Sequence, residues 1–233
     1  RSLVCAGLDP DLGLMPPAFL NEEVGHDGEK AAAACIERYC CQILEAVAPF
    51  VAVVKPQAAY FEQYGAAGWD ALAAVVREAQ ALGLPVIADV KRGDIASTGR
   101  AYARALFGGA PLPGGGTAEG LGADAVTVSP YLGGDSLSPF TEYCDQGKGV
   151  FVLTRTSNPG AAGLQERDLE GRPLYLRVAE LVDELGRDCV GEHGYSDVGA
   201  VAGATAPEAL RAVRAALPRA FLLVPGYGTQ GGR

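Results

Sequence analysis

Residues 85–98 have the sequence Pro-Val-Ile-Ala-Asp-Val-Lys-Arg-Gly-Asp-Ile-Ala-Ser-Thr, an apolar run followed at once by a charged cluster. The apolar part is typical of a strand buried on both faces of a parallel sheet. Residues two apart in a strand point to the same side, so Asp89 and Lys91 are predicted to share a face at the strand's carboxyl end. Asp94 falls in the turn before the next helix. This cluster predicts a functional site; the alternative is a surface ion pair that contributes little to stability.

Apolar runs alternate with helical periodicities along the rest of the chain. The predicted strands are 3–9, 50–56, 85–91, 123–129, 149–154, 198–202 and 221–224. The predicted helices are 29–48, 68–82, 96–107, 172–190 and 206–216, with a short helical stretch near 135–144. Residues 10–28 are predicted to form a loop with little regular structure, and the Gly- and Pro-rich residues 108–122 to form a surface insertion. This alternation predicts a parallel α/β sheet.

Polar residues gather just after the predicted strands, as with Asp9, Lys55, Ser157 and Thr205. In a (β/α)₈ TIM barrel this edge is the active face, whereas a doubly wound open sheet would concentrate a site at one switch point. We therefore predict a single barrel domain over residues 1–233. Seven parallel strands would leave two unpaired edges, so we expect the eighth strand and last helix to lie outside this sequence and the domain to be truncated at both ends.

Composition narrows the class of protein. The net charge is −9 and no Lys/Arg run is present, which argues against a nucleic-acid surface, and no apolar run is long enough to span a membrane. An anionic ligand would need local cationic and amide donors. The six cysteines follow neither a disulfide framework nor a metal-ligand spacing, so they are interpreted as reduced thiols of a cytoplasmic protein.

Residues 226–231 match Gly-x-Gly-x-x-Gly. A dinucleotide-binding interpretation would need a following helix and a later acidic residue, which this sequence does not supply. The pattern is better interpreted as a backbone-amide cradle for a phosphate after the seventh strand, with a flexible glycine turn as the alternative. Arg155, at the end of the fifth strand, is interpreted as a rim or supporting residue.

Several motifs carry a family resemblance. Residues 89–95 (Asp-Val-Lys-Arg-Gly-Asp-Ile) resemble the signature of the orotidine 5′-phosphate decarboxylase family. Residues 54–62 (Val-Lys-Pro-Gln-Ala-Ala-Tyr-Phe-Glu) resemble the second-strand motif of its bacterial type-2 branch. Further motifs that are similar to the family lie at 127–133, 156–160 and 225–231. Together they extend over nearly the whole chain in the family's order.

The resemblance implies a (β/α)₈ barrel that converts orotidine 5′-monophosphate to uridine 5′-monophosphate and CO₂ in pyrimidine biosynthesis, with no metal and no organic cofactor. It also implies a homodimer.

The family's site residues match this sequence position by position. Lys91 matches the lysine that protonates C6, and Asp89 matches the carboxylate that lies beside the substrate's own carboxylate. The residues delivered across the dimer interface are matched by Asp94, Ile95 and Thr98. The remaining matches are Asp9 and Lys55 at the ribose, Ser157 at the pyrimidine, and Pro225, Gln230 and Gly231 at the phosphate. The family's phosphate-binding arginine on the eighth strand has no match here.

The chemistry agrees with these roles. Loss of CO₂ leaves an electron pair on C6, and an ammonium held there stabilises the developing charge and can donate the proton. Two alternatives remain open at this point. One is a related phosphosugar decarboxylase or aldolase that uses Mg²⁺ on the same barrel, and the other is a catalytically silent barrel that binds a nucleotide.

Overall fold

The computed structural model describes residues 2–20, 28–227 and 231–232. The chain divides into two compact units. The first comprises Arg1–Val90 and Ala105–Ala125, and the second comprises Lys91–Arg104 and Val126–Arg233. The predicted single domain therefore stays a prediction, and each unit is described by itself.

All seven predicted strands are present among the described residues. In chain order they are Cys5–Leu8, Val53–Pro56, Ile87–Arg92, Ala125–Val128, Gly149–Arg155, Ser196–Ala202 and Ala220–Leu223, called below the first to seventh strands. In the first unit, the first and second strands pair in parallel from Cys5↔Val53 to Leu8↔Pro56. Parallel bridges Val54↔Val86 and Gln57↔Asp89 then place the second strand beside the third.

A five-stranded sheet has the strand order third, fourth, fifth, sixth, seventh. In the second unit, the sixth strand pairs in parallel with the fifth from Val198↔Val150 onward, and with the seventh through Ala200↔Leu222. The fourth strand, Ala-Val-Thr-Val, is buried at every residue. Sheets buried on both faces require such runs, which is why the apolar pattern predicted these strands correctly.

The α-helices are Pro17–Leu20, Glu29–Val47, Ala59–Glu62, Gly65–Ala81, Ala96–Phe107, Ser138–Thr141, Ala161–Gln165, Leu174–Gly186 and Pro207–Ala216. The five long predicted helices are confirmed with shifts of up to four residues at their ends. Residues 135–144 contain the predicted short helical stretch, within 3₁₀ and α turns. No helix in the described part of the chain is long and apolar enough to cross a membrane.

Short elements were missed or mistaken. Residues 10–28 are predicted to form a loop with little regular structure, but its first half contains a 3₁₀ turn at Leu12–Leu14 and the helix Pro17–Leu20, while 21–27 lie outside the described residues. The 108–122 segment forms a small antiparallel hairpin, Ala110–Pro111 with Thr117–Ala118. A second hairpin, Asp168–Leu169 with Arg172–Pro173, was not predicted.

The spacing of apolar residues along two long helices shows which face of each helix packs into the core. The helix Glu29–Val47 buries Ala33, Ile36, Cys40 and Leu44, which recur every three or four residues, and it packs on the helix Gly65–Ala81 in the first unit. In the second unit, the helix Leu174–Gly186 packs on the sixth strand through the same kind of stripe. These layers hold the strands in place, so the strand ends can carry polar residues.

We expect Gly68→Ala to destabilise the fold. A Cβ at residue 68 would lie 1.8 Å from the main-chain oxygen of Phe61, so the two helices that meet there would have to separate. The free energy of unfolding should fall by at least about 2 kcal/mol, measured by urea denaturation. The matched control is Gly163→Ala, because a Cβ at Gly163 meets nothing within 4 Å. A loss of stability in Gly68→Ala no larger than in the control would contradict this packing.

Candidate active site

Asp89 is a buried carboxylate at the end of the third strand, 6% exposed. Its Oδ2 accepts hydrogen bonds from Lys55 Nζ at 3.0 Å and from Gln57 Nε2 at 2.8 Å. The Lys55 side chain is itself only 15% exposed. A buried charge of this kind is tolerated because it is paired and hydrogen-bonded, and removing one partner of such a pair typically costs about 3–5 kcal/mol. The first unit therefore contains a charged group that is fixed in place.

The family resemblance implies that Lys55 contacts the ribose, and it does not single out Gln57. A signal was available, since Gln57 follows Lys55 by two residues and extended residues two apart lie on one side. Main-chain hydrogen bonds join the same three strand ends, with Gln57 N donating to Leu8 O at 3.0 Å and Ala58 N donating to Asp89 O at 3.2 Å. Asp9 is the residue after Leu8 at the end of the first strand, and it is exposed. The expected gathering of polar residues at one strand edge is confirmed within this unit.

Cys5 shows how enclosed this cluster is. Burial raises the pKa of the Cys5 thiol from 9.0 to about 11, with the Lys55 ammonium lowering it and the Asp89 carboxylate raising it by smaller amounts. All six cysteines lie in the described residues as free thiols, and Cys35, Cys40 and Cys144 are buried. The interpretation as unpaired thiols in or near the core agrees with this arrangement.

Lys91 lies in the third strand and is the first residue of the second unit. It is exposed. Its φ is +45°, in the left-handed region that few non-glycine residues adopt. The strand-alternation rule assumes extended backbone, so the prediction that Asp89 and Lys91 share a face does not follow from regular geometry. The Lys91 N–H donates to Thr127 Oγ1 at 3.0 Å.

The turn after the strand begins the helix Ala96–Phe107, as predicted. Asp94 Oδ1 accepts a hydrogen bond from Ile95 N at 2.8 Å, and Ile95 O in turn accepts from Thr98 N at 3.1 Å. The Ile95 side chain is 53% exposed, and Thr98 is exposed as well. The three residues predicted to reach a second subunit thus lie within one turn of chain, with Ile95 and Thr98 exposed and Asp94 half-buried.

Ser157 is held by the loop after the sixth strand. Thr205 Oγ1 donates to Ser157 O at 2.8 Å. A Cβ at Gly203 would lie within 3 Å of the Ser157 N, Cα and Cβ atoms, so only glycine permits this approach. Ser157, Thr205 and Arg155 line a cavity of about 490 Å³ together with Asn158 and Pro159. The structure therefore brings Ser157 to a recess at the strand ends of the second unit.

Arg155 supports this recess from below. It is 7% exposed, and its guanidinium donates to Glu166 Oε1 at 2.9 and 2.8 Å and to the carbonyl oxygen of Thr156. Gln165 also holds Thr156, because its Oε1 accepts a hydrogen bond from Thr156 N at 2.8 Å. These contacts agree with the interpretation of Arg155 as a rim or supporting residue of the recess. Gln165 and Glu166 were not identified from sequence.

The glycine-rich loop after the seventh strand is described in part. Gly226 and Gly231 have φ of +91° and +86°, which explains the need for glycine at both. Gly232 N donates to Gly226 O at 2.9 Å, and Pro225 O accepts from Ala204 N at 2.8 Å. Gln230, predicted at the phosphate, lies outside the described residues.

Comparison with known proteins decides the family. A sequence model of the Orotidine 5′-phosphate decarboxylase / HUMPS family matches residues 2–233. The chain belongs to this family. It is 49% identical over 232 residues to an orotidine 5′-phosphate decarboxylase of Rhodopirellula baltica, covering 99% of this chain and 75% of the relative. It is 44% identical to the enzyme of that name from Roseiflexus castenholzii, covering 100% of this chain and 74% of the relative.

Solved structures agree. The OMP decarboxylase of Leishmania donovani is 41% identical, with a TM-score of 0.74 over 97% of this chain and 75% of that chain. A Streptomyces avermitilis family structure is similarly related, at 35% identity and a TM-score of 0.76 over 100% of this chain and 75% of that chain. The family resemblance is confirmed, and so is the predicted (β/α)₈ barrel class.

We expect Cys5 to alkylate slowly in the folded protein. A pKa of about 11 in place of 9.0 lowers the thiolate fraction near neutral pH about 100-fold. Its rate of reaction with iodoacetamide, followed by peptide mass spectrometry, should still rise about tenfold per unit between pH 8 and 10. The same peptide in urea should level off near pH 9. A native rate that levels off at the same pH as in urea would contradict the enclosed site.

Proposed function

We propose that this protein is a carboxy-lyase that converts orotidine 5′-monophosphate to uridine 5′-monophosphate in pyrimidine biosynthesis. The relatives at 40–49% identity all carry the decarboxylase name and confirm the predicted activity. They give no support to the phosphosugar or silent-barrel alternatives. The observation that carries the proposal is the buried Asp89 carboxylate. It lies on the same strand as Lys91 and accepts hydrogen bonds from Lys55 and Gln57.

The proposed step breaks the bond between C6 and the substrate carboxylate. CO₂ leaves, the electron pair stays on C6, and the Lys91 ammonium donates a proton to that carbon. Developing negative charge is stabilised by the nearby cation more strongly in a closed site than in water. Asp89, which cannot move away from its two donors, is proposed to face the substrate carboxylate. Its repulsion would be relieved as CO₂ departs.

The other roles follow the family motif, residue by residue. Asp9 and Lys55 are proposed to contact the ribose and Ser157 the pyrimidine. For Ser157, support comes from its fixed place at the recess described above. Pro225 and Gly231, with Gln230, are proposed to hold the phosphate, and the left-handed φ angles of Gly226 and Gly231 support a tight turn there. Binding of the distant phosphate would contribute to stabilising the transition state.

We also propose a homodimer in which Asp94, Ile95 and Thr98 act in the neighbouring subunit's site. The exposed apolar Ile95, together with Tyr102 and Tyr131 of the same unit, supports a covered surface here. The cytoplasmic location inferred from cysteine usage is likewise a proposal.

Replacing Lys91 by Ala should abolish turnover. With the chelator EDTA present, the unmutated protein should remove the orotidine 5′-monophosphate absorbance band, and Lys91→Ala should lower kcat at least about 1,000-fold, because it removes both proton donor and cation. Lys30→Ala, at the start of a helix in the first unit, is the matched control and should keep full activity.

Two results would overturn the proposal. Activity lost on adding EDTA and restored by Mg²⁺ would contradict decarboxylation by side chains alone. Full activity in Lys91→Ala would remove the proton donor from the mechanism.

Sharing of sites between subunits is testable by complementation. Lys91→Ala and Asp94→Asn chains, co-expressed with different tags and purified as the mixed dimer, should regain about half the activity of the unmutated dimer, because one site of two is intact. Each parent dimer should stay inactive. A mixed dimer without activity would show that Asp94 acts on its own chain's site.

A further inference from the structure

The Thr127 hydroxyl is a polar group in an otherwise apolar strand. The fourth strand reads Ala-Val-Thr-Val, and Thr127 is 1% exposed. A valine has nearly the same shape and would serve the core without a polar atom to satisfy. The hydroxyl oxygen accepts a hydrogen bond from the Lys91 N–H at 3.0 Å. The strand thus carries a buried hydroxyl directed at one backbone amide of the neighbouring strand.

That amide belongs to a residue with an unfavourable backbone conformation. Lys91 has φ +45°, and a side chain with a Cβ is disfavoured there. Such conformations persist only where the surroundings fix them, and they cluster at functional sites. Because φ sets the direction of the Cα–Cβ bond, the left-handed conformation determines where the lysine side chain starts.

A second tie holds the other side of Lys91. Ser129 N donates to Arg92 O at 2.8 Å. Gly93 lies against the same residue, since a Cβ there would come to 3.0 Å from Ser129 O. The chain is therefore held before and after the Lys91 side chain by residues 127 and 129 of one neighbouring segment, all within the second unit.

We propose that Thr127 is a positioning residue that fixes the left-handed backbone of Lys91 and thereby aims its ammonium. Thr127 acts through Lys91 and does not itself touch the substrate. The inference rests on the proposed function, in which Lys91 protonates C6. Misplacement of a reacting group by about 1 Å can cost about 100-fold in rate.

Thr127→Val tests the proposal. We expect kcat for orotidine 5′-monophosphate to fall at least about 10-fold, with KM and the Kd of uridine 5′-monophosphate by calorimetry changed less than about 3-fold. Thr127→Ser, which keeps the acceptor oxygen, should return kcat to within about 3-fold of the unmutated protein.

Thr154→Val is the matched control. Thr154 is buried to the same 1% in the fifth strand, but its hydroxyl donates to Val152 O within its own strand. Its kcat should stay within about 3-fold of the unmutated protein. If Thr127→Val keeps full kcat, or if Thr154→Val loses as much, the positioning role is wrong. If the unmutated protein does not turn over the nucleotide, the proposed function fails instead.

A measurement on the unmutated protein covers the case in which Thr127→Val does not fold. The Lys91 amide, assigned by NMR, should exchange with D₂O far more slowly than an unstructured peptide, because it is hydrogen-bonded. Exchange at the unprotected rate would contradict the tie to Thr127.

Discussion

A buried carboxylate that must remain paired is the constraint on which the site in the first unit depends. Asp89 satisfies it with an ammonium from Lys55 and an amide from Gln57, both from the end of the adjacent strand. Carboxylates of this kind are costly in an apolar strand unless their partners are fixed. The adjoining main-chain bonds at Leu8 and Ala58 keep the three strand ends in register, which places both partners beside Asp89. The Asp89–Lys55 ion pair therefore depends on the helices that pack against the sheet, because they hold the strands that carry both residues.

The second unit combines a close glycine contact, hydrogen bonds to the main chain and the ion pair between the buried Arg155 and Glu166. Gly203 lets Ser157 approach, Thr205 ties its carbonyl, and Arg155 with Gln165 holds the preceding residue. A loop held in this way is pre-organised, which favours binding because less conformational entropy is lost when a ligand arrives.

Much of this could be predicted from the sequence, because strand burial and helical periodicity leave strong patterns. Asp89, Lys91 and Asp94 stood out through charge after an apolar run. Two short helices could not be predicted, namely Ala59–Glu62 and Ala161–Gln165. Helices of four or five residues depend on tertiary packing and leave no periodicity in the sequence. The partners Gln57, Gln165 and Glu166 depend on three-dimensional proximity. The left-handed φ of Lys91 also left no trace, because lysine is rarely found in that conformation.

In the proposed mechanism, Lys91 protonates C6 as CO₂ departs, and no metal takes part. The most direct test is turnover of orotidine 5′-monophosphate in D₂O with EDTA, with the product analysed by proton NMR and mass spectrometry. Protonation of C6 by Lys91 predicts uridine 5′-monophosphate with one deuterium at C6 and none elsewhere on a carbon. Unchanged nucleotide, or product formed only after a metal ion is added, would contradict it.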